Sequence, residues 1–264
     1  METKSEKILY PIAEIFESVN GEGPNVGKLA VFVRFAGCNL ACSFCDTMWA
    51  NEPDCPVTWM DADEIHERVR RTGTRLVTVT GGEPLMVTGL VPLLNLFTEP
   101  YAGSRIPSGI GFRESNADNG TIYKPEYAGS EFHPYRGPLS VEIETNGSIP
   151  IDFLDHLPIR PTVTMDYKLP GSGMEDHMRI ENFHFLKPTD TVKFVAGSVE
   201  DLDRAREIIQ KYHLTSICQV YIGPVFGRIK PVRIAEYMME HAMNDVTLQL
   251  QLHKILWDPE RRGV

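Results

Sequence analysis

No stretch of this chain approaches the roughly 18 consecutive apolar residues of a membrane-spanning helix, so no span is expected. The opening "METKSEKILYPIAEIF" lacks the charged, then apolar, then small-residue order of a secretion leader. Positive charge is scarce: 26 Lys and Arg stand against 36 Asp and Glu, a formal net charge of -10. That balance weighs against non-specific binding to nucleic acid or to an anionic membrane surface. Two basic clusters, "RVRRTGTR" (68–75) and "ERRGV" at the end, are short and read as solvated surface. Cysteine is too sparse and uneven for an extracellular disulfide framework, since there are five and three of them crowd together. A reducing cytoplasm is the expected location, with Cys55 and Cys218 as small apolar bystanders. No short internal repeat is visible.

What is present, 264 residues of which 42% are hydrophobic and 23% charged, allows a sizeable core in a single domain, 1–264. Strands are expected where β-branched residues concentrate: "LAVFVRFAG" (29–37), "RLVTVT" (75–80), "LSVEIET" (139–145), "PTVTMDYK" (161–168), "TVKFVA" (191–196), "ICQVYIG" (217–223) and "VTLQLQLH" (246–253). Helices are expected between them at 61–71, 87–97, 174–183, 199–212 and 232–243. The first has Asp61 and Asp63 as possible N-caps and Gly73 past its end. The fourth opens on a serine with acidic residues and closes on Lys211 and His213, as the helix dipole favours.

This alternation is α/β in class. It predicts a mainly parallel sheet with helices outside, a partial or modified (β/α)6-type barrel whose site lies at the carboxyl ends of the strands. Segment 100–138, rich in Gly, Pro, Ser, Asn and Tyr, breaks the rhythm and is too long for an ordinary connection. It reads as an irregular insertion or flap, with "NADNG" as the tip of a turn.

The chemistry concentrates in "VRFAGCNLACSFCDTMW" (33–49), where Cys38, Cys42 and Cys45 are spaced C-x3-C-x2-C after the first of these strands. Thiolates are soft ligands that suit zinc or iron–sulfur centres. A structural zinc site needs four ligands, which Cys55 or His66 would have to complete. A four-iron cluster held by three cysteines instead leaves one iron open to a small-molecule ligand. The next strand ends in "TGGEP" (80–84), whose glycines permit close backbone approach.

C-x3-C-x-aromatic-C, with Phe44 before Cys45, resembles the signature of radical S-adenosylmethionine (SAM) enzymes, and "GGE" resembles their second motif. Together with "SVNGEGPNVGK" (18–28), "DT" (46–47), "ETNG" (144–147), "DYKLPGSGM" (166–174) and "QLHK" (251–254), the chain is similar to the 7-carboxy-7-deazaguanine synthase family from about residue 13 to 257, the insertion apart. The resemblance implies a radical SAM barrel with a 4Fe–4S cluster on Cys38, Cys42 and Cys45. It implies SAM contacts by Phe44, Cys45, Asp46, Gly82, Glu83, Asn146, Asp166, Tyr167, Lys168 and Gln219. Asp166-Tyr167-Lys168 stands where the family commonly has Ser-Pro-Lys. Substrate contacts are implied for Val19, Asn20, Gly21, Glu22, Arg34, Thr80, Glu144 and His253, with Asn20 standing where the family often has glutamine. Thr47 is implied to hold Mg2+, together with the substrate carboxylate.

The implied reaction converts 6-carboxy-5,6,7,8-tetrahydropterin to 7-carboxy-7-deazaguanine, for queuosine-type bases. A 5′-deoxyadenosyl radical takes hydrogen from C6, the ring contracts, SAM is regenerated and ammonia is lost. A flavodoxin- or ferredoxin-type electron donor and a homodimer are also implied. A radical SAM activase that places a glycyl radical on a partner protein is the alternative within the superfamily, although Asp46-Thr47 replaces the His-Asn usual there. A zinc-stabilised binding module is the alternative outside it.

Overall fold

The computed structural model describes residues 7–102, 135–259 and 261–264. Among the described residues nine strands form one open sheet: β1 (Leu9–Val19), β2 (Leu29–Phe35), β3 (Thr58–Asp61), β4 (Leu76–Gly81), β5 (Ser140–Thr145), β6 (Thr162–Tyr167), β7 (Thr191–Ala196), β8 (Gln219–Pro224) and β9 (Thr247–Leu248). Their order is β3-β1-β2-β4-β5-β6-β7-β8-β9. From β2 through β4 to β9 every neighbouring pair is parallel, while β1 runs antiparallel to both β2 and β3. The sheet therefore winds in one direction without closing, the partial barrel the sequence predicts. The helices are α1 (Ala62–Arg70), α2 (Leu90–Thr98), α3 (Val199–Lys211), α4 (Pro231–Glu240) and a short α5 (His253–Leu256).

Side chains alternate across a strand, so the register sorts them into two faces. Val33, Val79, Ile143, Val163, Val192 and Val220 fall on one face and pack, with residues of α1 to α4, into a continuous apolar core. The other face carries Arg34 beside Thr80, Thr78 beside Glu142, Glu144 beside Thr164, and Asp166 beside Lys193. "VTVT", "VEIET" and "TVKFVA" thus alternate because one side meets helices and the other meets the barrel interior.

Helix starts follow their capping chemistry. Asp61 accepts from the Glu64 backbone N–H at 2.9 Å and Glu64 reaches back to the Asp61 N–H at 2.9 Å, a reciprocal cap on α1. Ser198 accepts from Asp201 N at 3.2 Å at the start of α3.

Several expectations need correction. Segment 174–183 is not an α-helix but falls in the 3₁₀ turns Glu175–His177 and Ile180–Phe185. Asn182, buried there, donates to the carbonyls of Gly147 and Ile149 at 3.1 and 2.8 Å and accepts from Ile151 N at 3.3 Å, so the segment is shaped by the neighbouring crossover. The last strand shrinks to β9 because Gln249 and Leu252 turn back to the loop after β1. Strands β1 and β3 are absent from the sequence reading: β1 contains Pro11, and a register irregularity between Ile12 and Glu14 breaks its alternation. Of the insertion, only residues 100–102 and 135–138 are described; its "NADNG" turn lies outside the described residues.

Arg70 is no surface residue. Its side chain is fully buried at the foot of α1, with Nη2 donating to the carbonyls of Phe97 and Glu99 (3.3 and 2.8 Å) and Nη1 to those of Tyr135 and Gly137 (3.0 and 2.6 Å). Its Nε donates to His66 Nε2 at 2.9 Å. One guanidinium thereby gathers both stems of the inserted segment. Arg70→Met strands these carbonyls and is expected to lower stability by at least about 3 kcal/mol in urea denaturation. The exposed neighbour change Arg68→Met is expected to stay within about 0.5 kcal/mol.

Candidate active site

At the carboxyl ends of the strands a cavity of about 680 Å³ opens onto the polar face of the sheet. The loop after β2 brings Cys38, Cys42 and Cys45 to its wall. That loop is fixed largely through backbone: Gly37 N donates to Ala50 O at 2.9 Å, Cys38 N to Asn51 Oδ1 at 2.8 Å, and Ser43 N to Ser172 O at 3.0 Å. Arg228 Nη2 donates to Ser43 O at 3.2 Å, and its guanidinium lies over the Phe44 ring at 5.4 Å. Cys38 Sγ accepts from Leu40 N at 3.4 Å and from Asn146 Nδ2 at 3.5 Å.

The turn after β4 lies against this loop without side chains between. Gly82 N donates to Phe35 O at 3.0 Å and Glu83 N to Gly37 O at 2.9 Å. A Cβ on Gly82 would stand 1.9 Å from the Gly37 carbonyl oxygen, so only glycine allows the approach. Glu83 is buried and turns inward, accepting from Leu85 N (3.0 Å), Thr145 Oγ1 (2.8 Å) and Asn146 N (2.7 Å). Glu83 thus ties the ends of β4 and β5 together.

On the opposite side, the loop after β1 presents Gly21 and Glu22. Glu142, buried in β5, receives Asn20 Nδ2 at 3.0 Å, Asn25 Nδ2 at 2.9 Å and Thr164 Oγ1 at 2.7 Å, which anchors the loop from beneath. Gln249 clamps Gly23 from above, accepting from its N–H at 2.7 Å and donating to its carbonyl at 3.0 Å. Lys193 Nζ bridges Glu22 Oε2 at 2.8 Å and Asp166 Oδ1 at 3.0 Å, and Asp166 also pairs with Lys168. Burial, then the Glu142 and Glu22 carboxylates, push Glu144 up to about 7 against the pull of Lys193 and the Thr80 hydroxyl.

Residues 32–159 match the radical SAM superfamily. The chain is 43% identical to a 7-carboxy-7-deazaguanine synthase of Clostridium acetobutylicum over 97% of its own length and 99% of that protein's. The chain belongs to the 7-carboxy-7-deazaguanine synthase family. A second such synthase, from Chlorobaculum tepidum, is 34% identical over 96% of each chain. The crystal structure of QueE from Escherichia coli shares the fold, with a TM-score of 0.61 at 20% identity over 93% of this chain and 95% of that one.

This family implies a 4Fe–4S cluster and SAM, and the donor set fits them. Three soft thiols line one wall, N–H groups approach the sulfur of Cys38, and one iron of such a cluster is left without a protein ligand. Among the described residues no set of three His, Cys, Asp or Glu side chains is gathered for a single ion. His66 Nε2, an alternative zinc ligand in the sequence, accepts from Arg70 instead.

Of the residues the sequence names, Val19, Gly21, Glu22, Arg34, Phe44, Asp46, Thr47, Thr80, Gly82, Glu144, Asn146, Asp166, Lys168 and His253 line this one cavity with the three cysteines. Arg34 lines it while also donating to Glu14 Oε1 at 2.8 Å. Thr47 Oγ1 donates to Asp46 Oδ1 at 3.0 Å, and Lys254 Nζ stands 3.3 Å from Asp46 Oδ2.

Four residues do not reach the cavity. Asn20 and Glu83 are turned into the anchors described above. Tyr167 points to the apolar face, its hydroxyl donating to Glu175 Oε1 at 3.0 Å. Gln219 begins β8 and so sits at the end of the strand away from the site, accepting from Tyr221 OH at 2.6 Å.

The sequence reading does not single out Lys193, Lys254 and Arg228, which line the cavity, or Gln249, which clamps Gly23. The signal for Lys193 was available, because a lysine inside "TVKFVA" must face a polar interior or be unpaired. The end of the chain also needs correction: Arg261 and Arg262 line the cavity rim, with Arg262 over the Trp49 ring at 4.3 Å.

Glu144 titrates at about 7 in the fold against an ordinary 4.5, so between those values the folded chain binds more protons than the unfolded one. Its contribution to stability therefore falls as pH rises through that window. The stability of wild type relative to Glu144→Gln is expected to drop by at most roughly 3 kcal/mol from about pH 4.5 to about pH 8. Urea midpoints of the two proteins across this range measure it.

Proposed function

We propose that this chain converts 6-carboxy-5,6,7,8-tetrahydropterin to 7-carboxy-7-deazaguanine with loss of ammonia, by hydrogen abstraction and ring contraction. One observation carries the reading. A single cavity sets the three-cysteine loop and the Gly-Gly-Glu turn across from Glu22, Arg34 and Glu144, in a chain 43% identical to a 7-carboxy-7-deazaguanine synthase over almost its whole length. When bound, the cluster and SAM supply a 5′-deoxyadenosyl radical by one-electron reduction.

The chain's own contribution is binding, orientation and exclusion of water. Cys38, Cys42 and Cys45 hold the cluster. The backbone at Gly82 and the side chains of Phe44, Asn146 and Lys168 are the SAM contacts. A flat, hydrogen-bonding pterin suits the opposite wall, where Glu22 and Glu144 accept from ring N–H groups and Thr80 supports Glu144. The Arg34 fork suits the substrate carboxylate or the ring edge. Val19, Gly21 and His253 close that wall, with a Cβ on Gly21 only 2.5 Å from His253 Nδ1. Asn20 acts through Glu142, by holding the loop that carries Glu22.

Mg2+ belongs to the same reading. Magnesium prefers hard oxygens and keeps several waters, so the Thr47 hydroxyl and a substrate carboxylate suffice to place it. Held there, the ion would supply a hard positive charge to the substrate carboxylate. A flavodoxin- or ferredoxin-type donor, a homodimer and a cytoplasmic location complete the proposal. No described helix is long and apolar enough to cross a membrane. The synthases of Clostridium acetobutylicum and Chlorobaculum tepidum, alike over nearly the whole chain, do not favour a glycyl-radical activase.

Reconstituted enzyme, incubated anaerobically with the pterin, SAM, Mg2+ and a reductant, is expected to yield 7-carboxy-7-deazaguanine by mass spectrometry. Formation of 5′-deoxyadenosine without that product would point to another substrate. Thr47→Ala is expected to lower turnover about 10- to 100-fold and to blunt its dependence on added Mg2+. Full turnover by metal-stripped enzyme would exclude the magnesium role.

A further inference from the structure

Lys193 is an enclosed cation of the cavity whose role the family resemblance leaves open. It stands in the middle of β7, between Asp166 on β6 and Tyr221 on β8 in register, and its side chain is only 11% exposed. Its ammonium makes two ion pairs, to Glu22 Oε2 at 2.8 Å and to Asp166 Oδ1 at 3.0 Å. The first partner is on the loop that faces the pterin in the reading above. The second is on the strand end assigned to SAM. Lys168, Asp166, Lys193 and Glu22 therefore form an unbroken row of alternating charge across the floor of the cavity.

The geometry fixes what this does to Glu22. A glutamate on a short glycine-flanked loop has several rotamers, and immobilising it on binding costs side-chain entropy. With Oε2 tied to Lys193, the carboxylate is held before the substrate arrives, and Oε1 has no hydrogen bond among the described residues. A second consideration is charge. Glu22, Glu144 and Asp166 crowd one enclosed site, and Lys193 is the cation common to all three. Without it, carboxylates at this spacing disfavour one another's ionised forms.

We propose that Lys193 is the positioning residue for substrate recognition, holding the Glu22 carboxylate in the one orientation that receives the N–H edge of the pterin. The inference rests on the function proposed above. It assigns Lys193 no contact with the reacting atoms; it acts through Glu22.

The test uses full-length, cluster-reconstituted protein under anaerobic conditions. Binding of the carboxytetrahydropterin and of SAM is measured separately by equilibrium dialysis for wild type, Lys193→Met, Lys193→Arg, Glu22→Gln and the double variant. Lys193→Met is expected to weaken pterin binding about 30-fold or more near neutral pH, the scale of truncating one partner of a buried charge pair. SAM affinity is expected to change less than about threefold, and Lys193→Arg to recover most of the loss.

Because Lys193 acts through Glu22, the double variant is expected to bind the pterin no more weakly than Glu22→Gln alone. The pH profile gives an independent readout. Glu22, Glu144 and Asp166 face Lys193, and Glu142, Lys168, Tyr221 and His253 surround them. Lys193 holds Glu144 down against the rise that its burial causes, so with the cation gone the Glu144 titration, and any step in pterin binding that follows it, moves to higher pH.

Unchanged pterin affinity in Lys193→Met, equal loss of SAM and pterin in Lys193→Arg, or multiplicative losses in the double variant would overturn the positioning role. If wild type binds SAM but no pterin, the functional reading itself fails, and this inference falls with it.

Discussion

The alternation of side chains along parallel strands is the constraint on which the rest of the molecule depends. Each central strand presents one face to the helices and one to the barrel interior. The outer face is satisfied by ordinary aliphatic packing. The inner face is lined with Thr, Glu, Asp, Lys and Arg, which are costly to enclose unless each finds a partner. The open sheet meets that demand by register: Glu142 is surrounded by amide and hydroxyl donors, and Asp166 lies between two lysines. A polar site is therefore built into the body of the fold and does not have to be added by its loops.

The cysteine loop follows a different logic. Its shape comes from backbone contacts to Phe35, Gly37 and Ala50, and from the turn after β4 pressed against it. Glycine at positions 81 and 82 removes the side chains that would separate the two segments. The buried Glu83 then secures that turn to β5 through Thr145 and Asn146, and Asn146 in turn reaches Cys38. The motif's acidic residue is thus a strut between strand ends, and the motif's backbone is what faces the cavity.

Much of this was legible in the sequence because it rests on local pattern. The β-branched strands, the reciprocal cap at Asp61 and Glu64, the cysteine spacing and the double glycine are all written within short windows. What was not legible depends on distant partners. Strand β1 is hidden by Pro11 and an irregular register, and segment 174–183 has helical composition but is shaped by Asn182 bonding to the crossover after β5. Gln219 has the right residue type but the wrong end of its strand. Lys193 and Arg70 read as ordinary cations, and only tertiary structure shows that one is enclosed by carboxylates and the other by carbonyls.

Arg70 also bears on how such a chain can change over time. The carbonyls it gathers come from residues 97 and 99 on one side and 135 and 137 on the other, so both roots of the intervening segment meet at one buried point. Whatever is strung between those roots, the path from β4 through α2 to β5 is already fixed at its base. Exchanging side chains within that segment leaves the groups that Arg70 binds unchanged, since all four are backbone carbonyls at its roots. One guanidinium thus sets where the segment leaves the body and where it returns, whatever side chains lie between.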